Sequence, residues 1–495
     1  MSVLWDALNN IDNFTIGLLL LSLGIALFYE MINGFHDTAN AVAMIIYTNS
    51  MKPGYSVIMA GIMNFIGVIL GGISVAYVIV HLLPLDIMVS SDQNATLVMI
   101  FSLLLSALIW NFGTWYFGLP VSSSHSLIGS LVGVSVAFGM MHGFTFSQSL
   151  NWKVVYGILT ALAVSPLLGF GLAFLIMKLS RKLVKNPKFF KTPSTEGKKK
   201  PNFWMRTGII ATGAGVSFAH GSNDGQKGIG LIMIILIGIL PTYYALNMEA
   251  HQYKIMQTRD SAANLAKFYA DNNDILTKLL NEKQLISALK IQNSITECNV
   301  NQVYNTTLEI STKLDGLKSY SELTENDRWK IHTAVLCSDN FFGQVERAYK
   351  SIDKDKSDYI ADQRKQMITS TEYVPYWVII AVALMIGIGT MIGYKRVVHT
   401  IGEKIGSKPI NHMQGAVSQA MAMVTILLAN FAHAPVSTTH IVSSAVAGTM
   451  VAEPDGGVQK KTFNTILLAW LFTLPVTAIM GAAIYIGLSY IIKIN

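Results

Sequence analysis

The sequence predicts an all-α polytopic membrane protein: two inverted-topology repeats with broken or re-entrant helices, plus a soluble helical insert. Composition is the first observation. Hydrophobic residues make up 52% of the 495 and charged residues 13%, with mean hydropathy +0.44; a soluble domain carries about 25% charged residues. Several apolar runs exceed the roughly 18 residues that mark a membrane span. The second observation is a polar phrase written twice inside apolar runs, as Asn33-Gly34-Phe35-His36-Asp37-Thr38-Ala39-Asn40 and as His220-Gly221-Ser222-Asn223-Asp224-Gly225-Gln226-Lys227. The third is another duplicated phrase, Pro120-Val121-Ser122-Ser123-Ser124-His125 and Pro435-Val436-Ser437-Thr438-Thr439-His440.

Taken in order, spans are expected near 14–33 (continuing, broken, to about 48), 55–83, 97–118, 122–142, 153–178, 207–241, 374–394, 411–431, 435–452 and 464–490. The first is too long, and too poor in N-terminal Lys or Arg, for a cleaved signal peptide. Cationic loops face the cytoplasm. The basic stretch 179–206 therefore lies inside, and alternation also places Lys52, Lys395–Lys408 and Lys460/Lys461 inside. Both termini and the insert then face outward. The net charge of +7 is segregated into these loops, so it does not point to nucleic acid.

Spacing relates the halves. Asp224 follows Asp37 by 187 positions and Pro435 follows Pro120 by 315; the excess, 128, matches the polar stretch 243–372. The expected organisation is a first membrane repeat (1–178), a basic linker (179–206), the start of a second repeat (207–242), the insert (243–372) and the rest of the second repeat (373–495). The first half starts outside and the second inside. Such inverted repeats place a site at their interface. The insert reads as amphipathic helices, for example Ser261–Ala270, Asp274–Leu289 and Thr306–Leu317. It holds both cysteines, Cys298 and Cys337, as one disulfide in an oxidising compartment or as two buried thiols. Two cysteines exclude a cysteine metal cluster.

Charges within spans are expensive and mark function by default; Glu30, Asp37, Asp224 and Lys227 qualify. The structural alternative is that the carboxylates pair with Lys227 or cap broken helices. Gly34, Gly221, Gly225 and Gly228 are expected to let the backbone unwind, which membrane proteins tolerate only along a cavity. Free N–H groups at a half-helix start suit an anion. Proline suits such a first turn, and the hydroxyls of Ser122, Ser123, Ser124, Ser437, Thr438 and Thr439 add donors for a tetrahedral oxyanion. A monohydrogen phosphate also needs an acceptor, which Asp37 or Asp224 supplies; sulfate has no such proton. His125, His440 and His36 read first as packing residues. The position matching Lys227 in the first half holds Asn40, an asymmetry that suits an ammonium replacing a bound cation or touching the anion. A Ser-His-Asp hydrolase is rejected, because no strand–turn–helix nucleophile elbow is present.

These phrases resemble the PiT family of inorganic phosphate transporters, whose Gly-Ala-Asn-Asp-Val-Ala-Asn signature stands here as Gly34 to Asn40 and as Gly221 to Lys227. The Pro-Val-Ser phrases are similar to the family's hairpin motifs. The likeness extends to Phe28-Tyr29-Glu30, Trp110-Asn111-Phe112-Gly113-Thr114-Trp115-Tyr116 and Gly228-Ile229-Gly230, and looks closest to bacterial low-affinity members. It implies a symporter in the cell inner membrane carrying phosphate with protons, often as a neutral complex with Mg2+ or another divalent metal; the inverted repeats imply alternating access by one repeat rocking against the other. Carried over by position, Asp37, Asn40, Asn223 and Asp224 become ligands of phosphate or the coupling ion, with the six hydroxyls as phosphate ligands. Asp37, Asp224, Lys227, Glu30 and His36 form the expected coupling set. His36 and Lys227 replace family asparagines, which argues against sodium and for protons. No cofactor and no resident metal are expected; the partners are phosphate, the coupling ions, membrane lipid and a second copy of the chain in a homodimer. The rival readings are a sulfate or free divalent-metal transporter, and a membrane phosphate receptor or enzyme.

Overall fold

The computed structural model describes residues 2–83, 93–119, 121–193, 200–279, 300–392, 398, 405–454 and 456–492. Among these, regular structure is helical apart from one isolated bridge, Gly406 to Val458. In chain order the helices are α1 (Ser2–Asn10), α2 (Asn13–Tyr47), α3 (Pro53–Leu70), α4 (Ser74–Val80), α5 (Gln93–Tyr116), α6 (Ser123–Met141) and α7 (Trp152–Leu183). Then come α8 (Phe203–Ile239), α9 (Pro241–Tyr244), α10 (Gln252–Leu279), α11 (Val300–Lys313), α12 (Glu325–Tyr349) and α13 (Lys354–Met367). The last four are α14 (Tyr376–Met391), α15 (His412–Phe431), α16 (Thr438–Ala452) and α17 (Lys460–Ile492).

The chain forms two compact units. The smaller is built on Leu236–Pro375 and takes in α1. Helices α10 to α13 pack around Leu265, Val303, Ile310, Phe342, Val345 and Ile360. Caps start its helices: Thr324 Oγ1 accepts from Asp327 N at 3.1 Å and Asp353 Oδ1 from Lys356 N at 3.1 Å, each satisfying a first-turn N–H. Arg364 binds Asp339 at 3.0 Å and also reaches Glu346. The chain leaves this unit where it entered, with Asn247 N donating to Ser370 O at 2.9 Å. Cys337 is buried in α12 and disulfide-bonded; its expected partner, Cys298, lies outside the described residues, as does 280–289 of the expected helix Asp274–Leu289.

The larger unit holds the apolar helices. Seven described helices are long and apolar enough to cross a membrane: α2, α3, α5, α6, α7, α15 and α17. Four expected spans come out differently. The stretch 55–83 breaks at Gly72, whose φ of +78° suits glycine, into α3 and α4. Helices α14 and α16 have 16 and 15 residues, about 24 Å at 1.5 Å per residue, short of a hydrocarbon core of about 30 Å. Helix α8, at 37 residues, is outside the apolar seven. Every residue from Ala219 to Ile237 is buried, so α8 faces protein and tolerates Asn223, Asp224, Gln226 and Lys227.

The backbone does not unwind at the duplicated Asp phrases. Asp37 lies inside continuous α2 and Asp224 inside continuous α8, which corrects the reading of Gly34, Gly221, Gly225 and Gly228 as unwinding points. Close helix contact explains the glycines. A Cβ on Gly34 would sit 2.6 Å from Ile386 O and 2.8 Å from Thr390 N of α14, and one on Gly221 would strike the Asn64 backbone of α3. Small residues are the usual means of bringing membrane helices together.

Candidate functional site: a buried polar cluster between two helix starts

The chain does break at the other duplicated phrase. Ser122 and Ser437, both with extended backbone, stand at the N-caps of α6 and α16. Ser122 Oγ accepts from His125 N and Ser437 Oγ from His440 N, each at 3.2 Å. These two expected phosphate ligands are thus engaged in capping, as serine at an N-cap favours. The helix starts face one another. Ser124 Oγ donates to Val436 O at 3.1 Å, and the His125 and His440 rings lie 4.5 Å apart, with Trp470 stacked 3.9 Å from His440. Two positive helix ends converge here.

The carboxylates meet this junction crosswise. In the first half, Asp37 Oδ1 accepts from Thr439 Oγ1 at 2.6 Å and from Asn40 Nδ2 at 2.5 Å, and Asn40 Nδ2 lies 3.2 Å from Thr439 Oγ1. In the second, Lys227 Nζ donates to Asp224 Oδ1 and to Ser124 Oγ, both at 2.5 Å. Ser124 and Thr439 are the fifth residues of their phrases. Asp37 is therefore served directly by a hydroxyl of the other half, and Asp224 is linked to one only through Lys227. Thr438 Oγ1 joins the two sides, 3.5 Å from Asp37 Oδ2 and 3.3 Å from Asp224 Oδ2.

His220 completes the cluster, and the sequence reading missed it. Its Nε2 is 2.9 Å from Asp37 Oδ2 and 3.3 Å from Asp224 Oδ2, and its Nδ1 is 2.8 Å from Asn64 Oδ1. Its signal was available: His220, Asp224 and Lys227 stand at i, i+4 and i+7, on one helix face, as do Asn33, Asp37 and Asn40. The ligand atoms of Asp37, His220 and Asp224 lie within 4.8 Å of one another, a set able to hold a metal ion.

Three expected site residues point elsewhere. His36, adjacent to Asp37 and so on another face of α2, sets Nε2 2.8 Å from Asn111 O. Glu30 is buried against Gly228 and accepts from Asn33 Nδ2 at 3.3 Å, with Oε1 lacking a hydrogen-bond partner. Asn223 braces the turn before α16: it donates to Asn430 Oδ1 at 2.5 Å and Ala434 O at 3.2 Å, and accepts from Val436 N at 3.3 Å. Ser123 Oγ and Asn40 Oδ1 are buried without a partner among the described residues, leaving capacity for a ligand.

The model of the phosphate transporter family, PHO4, matches residues 33–481. The chain is 43% identical over 487 residues to the low-affinity inorganic phosphate transporter PitB of Escherichia coli (strain K12), covering 96% of this chain and 97% of that one. It is 43% identical to PitA of the same organism, covering 94% and 96%. A low-affinity inorganic phosphate transporter of Buchnera aphidicola subsp. Acyrthosiphon pisum is 40% identical over 94% of this chain and 96% of its own. A solved structure, the sodium-dependent phosphate transporter, superposes with TM-score 0.54 at 19% identity, over 96% of this chain and all of that one, which shows the same fold. This is a family of transporters, not of enzymes. The chain belongs to the phosphate transporter family.

Proposed function

We propose that the protein carries inorganic phosphate across the cell inner membrane with protons, by alternating access of two inverted repeats around the cluster at Asp37, His220 and Asp224. The observation that carries this reading is the crosswise pairing of Asp37 with Thr439 and of Asp224, through Lys227, with Ser124. Two hydroxyl donors an oxyanion would use, those of Thr438 and Thr439, are held by carboxylates. Protonating a carboxylate loosens that hold and frees the donors, so proton and phosphate binding favour each other through shared groups.

Charge balance supports coupling. Both ring nitrogens of His220 face oxygens, the pattern of a ring that donates twice. The imidazolium and the Lys227 ammonium then offset Asp37 and Asp224. A dianionic phosphate entering a balanced site surrounded by protein brings two charges, which protons or a divalent metal must offset. Asp37, His220 and Asp224 have a donor set suited to a divalent cation, which favours cotransport of a metal–phosphate complex as the second reading.

Helix packing supports the inverted repeats. Helices α6 and α7 follow the first Asp phrase as α16 and α17 follow the second. Among the described residues, three closely packed pairs exchange partners between the halves: α6 with α17, α16 with α7, and α3 with α14. A pseudo-two-fold axis gives this pattern. The basic loops are placed in the cytoplasm, and the insert and both termini outside.

Labelled phosphate uptake into proteoliposomes, under an imposed inward proton gradient and with or without magnesium and sodium, tests this function. Uptake that requires the gradient and rises with magnesium is expected. A sodium requirement overturns proton coupling. Metal uptake without phosphate, or phosphate binding without accumulation, overturns phosphate transport.

A further inference from the structure

Lys227 is buried at 3% exposure in the middle of α8. An ammonium has three N–H donors, and all three are used: Asp224 Oδ1, Ser124 Oγ and Val436 O each stand 2.5 Å from Nζ. No donor remains for an anion. The surroundings are a carboxylate, a hydroxyl and a main-chain carbonyl at the turn entering α16. This is an oxygen cage with one negative charge, the kind of ligand set that hard cations take from proteins and that carbonyls at a helix break offer to alkali cations. At the matching place in the first half, Asn40 supplies a neutral amide to Asp37 and Thr439.

We propose that the Lys227 ammonium is a tethered cation filling a monovalent-cation site formed by Asp224, Ser124 and Val436 O, so that transport needs no free alkali cation there. The proposal rests on the transport reading above and deepens it. It assigns Lys227 as the residue that sets cation selectivity. Removing the side chain empties the cage and leaves Asp224 short of a counter-charge, which a free sodium or lithium ion of the right charge and size can restore.

The test compares wild type with Lys227→Ala and with Lys227→Asn, which copies Asn40. Each is purified in sodium chloride and in choline chloride. Thermal unfolding is followed against sodium, lithium and choline, and phosphate uptake is measured in proteoliposomes with the same cations. Wild type is expected to respond equally to all three. The variants are expected to melt higher in sodium or lithium, with uptake that is lost in choline and recovers about tenfold or more in sodium, within the usual range of site-to-site coupling. Variants that stay cation-indifferent in stability and uptake overturn the proposal. So does failure of both variants to fold in sodium as well as in choline. A wild type that carries no phosphate under any condition overturns the transport reading instead, while the unfolding measurements still decide whether the cage takes a cation.

Discussion

His220 Nε2 stands 2.9 Å from Asp37 Oδ2, joining side chains 183 positions apart and tying the two copies of the Asp phrase together. The same nitrogen is 3.3 Å from Asp224 Oδ2. Three titratable groups therefore share one site, and replacements within it will not add.

Asp37→Asn removes the charge that faces His220, Thr439 and Asn40. Phosphate uptake is expected to fall about 100-fold or more, ~2.8 kcal/mol at 1.4 kcal/mol per tenfold, with helicity and elution profile unchanged. Uptake close to wild type would remove Asp37 from the mechanism.

His220→Gln takes away the group that bridges both carboxylates. Uptake is expected to drop to a level comparable with Asp37→Asn, and the Asp37→Asn/His220→Gln double variant to be little worse than either alone, because both remove one coupled unit. Losses that simply multiply would show two independent roles.

Gly34→Ala puts a methyl group 2.6 Å from Ile386 O. Overpacking of this kind costs about 1–3 kcal/mol, read as a lower unfolding temperature in detergent. Gly17→Ala, where no atom lies within 4 Å, is the control and is expected to leave the unfolding temperature unchanged or raise it, since alanine favours the helix.

In the insert, burial pushes the Glu372 carboxyl up to about 7, helped by Asp339 and opposed by Arg364. A folded-state value above the unfolded one near 4.5 favours the folded state while the group is protonated. This contribution is full below about pH 4.5 and is lost as pH rises through about 7. Glu372→Gln is expected to flatten the fall in unfolding temperature between pH 5 and 8; an unchanged profile would show that the carboxyl titrates normally.

Pairing of Cys337 with Cys298 predicts that neither thiol labels until a reductant is added, and that gel mobility falls on reduction. Equal labelling with and without reductant would exclude the bond.

Much of this was legible locally. Ser122 and Ser437 follow Pro-Val and precede apolar runs, and both became N-caps because capping depends on neighbours a few residues away. The role of Gly34 was not legible, since unwinding and close packing call for the same residue and the choice is made by Ile386, far along the chain. His36 and Asn223 each sit one residue from an acid, and adjacent helical residues do not share a face, so the structure turns both toward other partners, Asn111 and Asn430. His220 was under-read for the complementary reason, as its place four residues before Asp224 puts it on the acid's own face.

The crosswise pairing of Asp37 with Thr439, and of Lys227 with Ser124, has a consequence for ancestry. The first half alone would leave Asp37 without its Thr439 donor, and the second alone would leave Lys227 without its Ser124 acceptor. An ancestor made of one half would therefore have held this polar cluster only as a pair of chains.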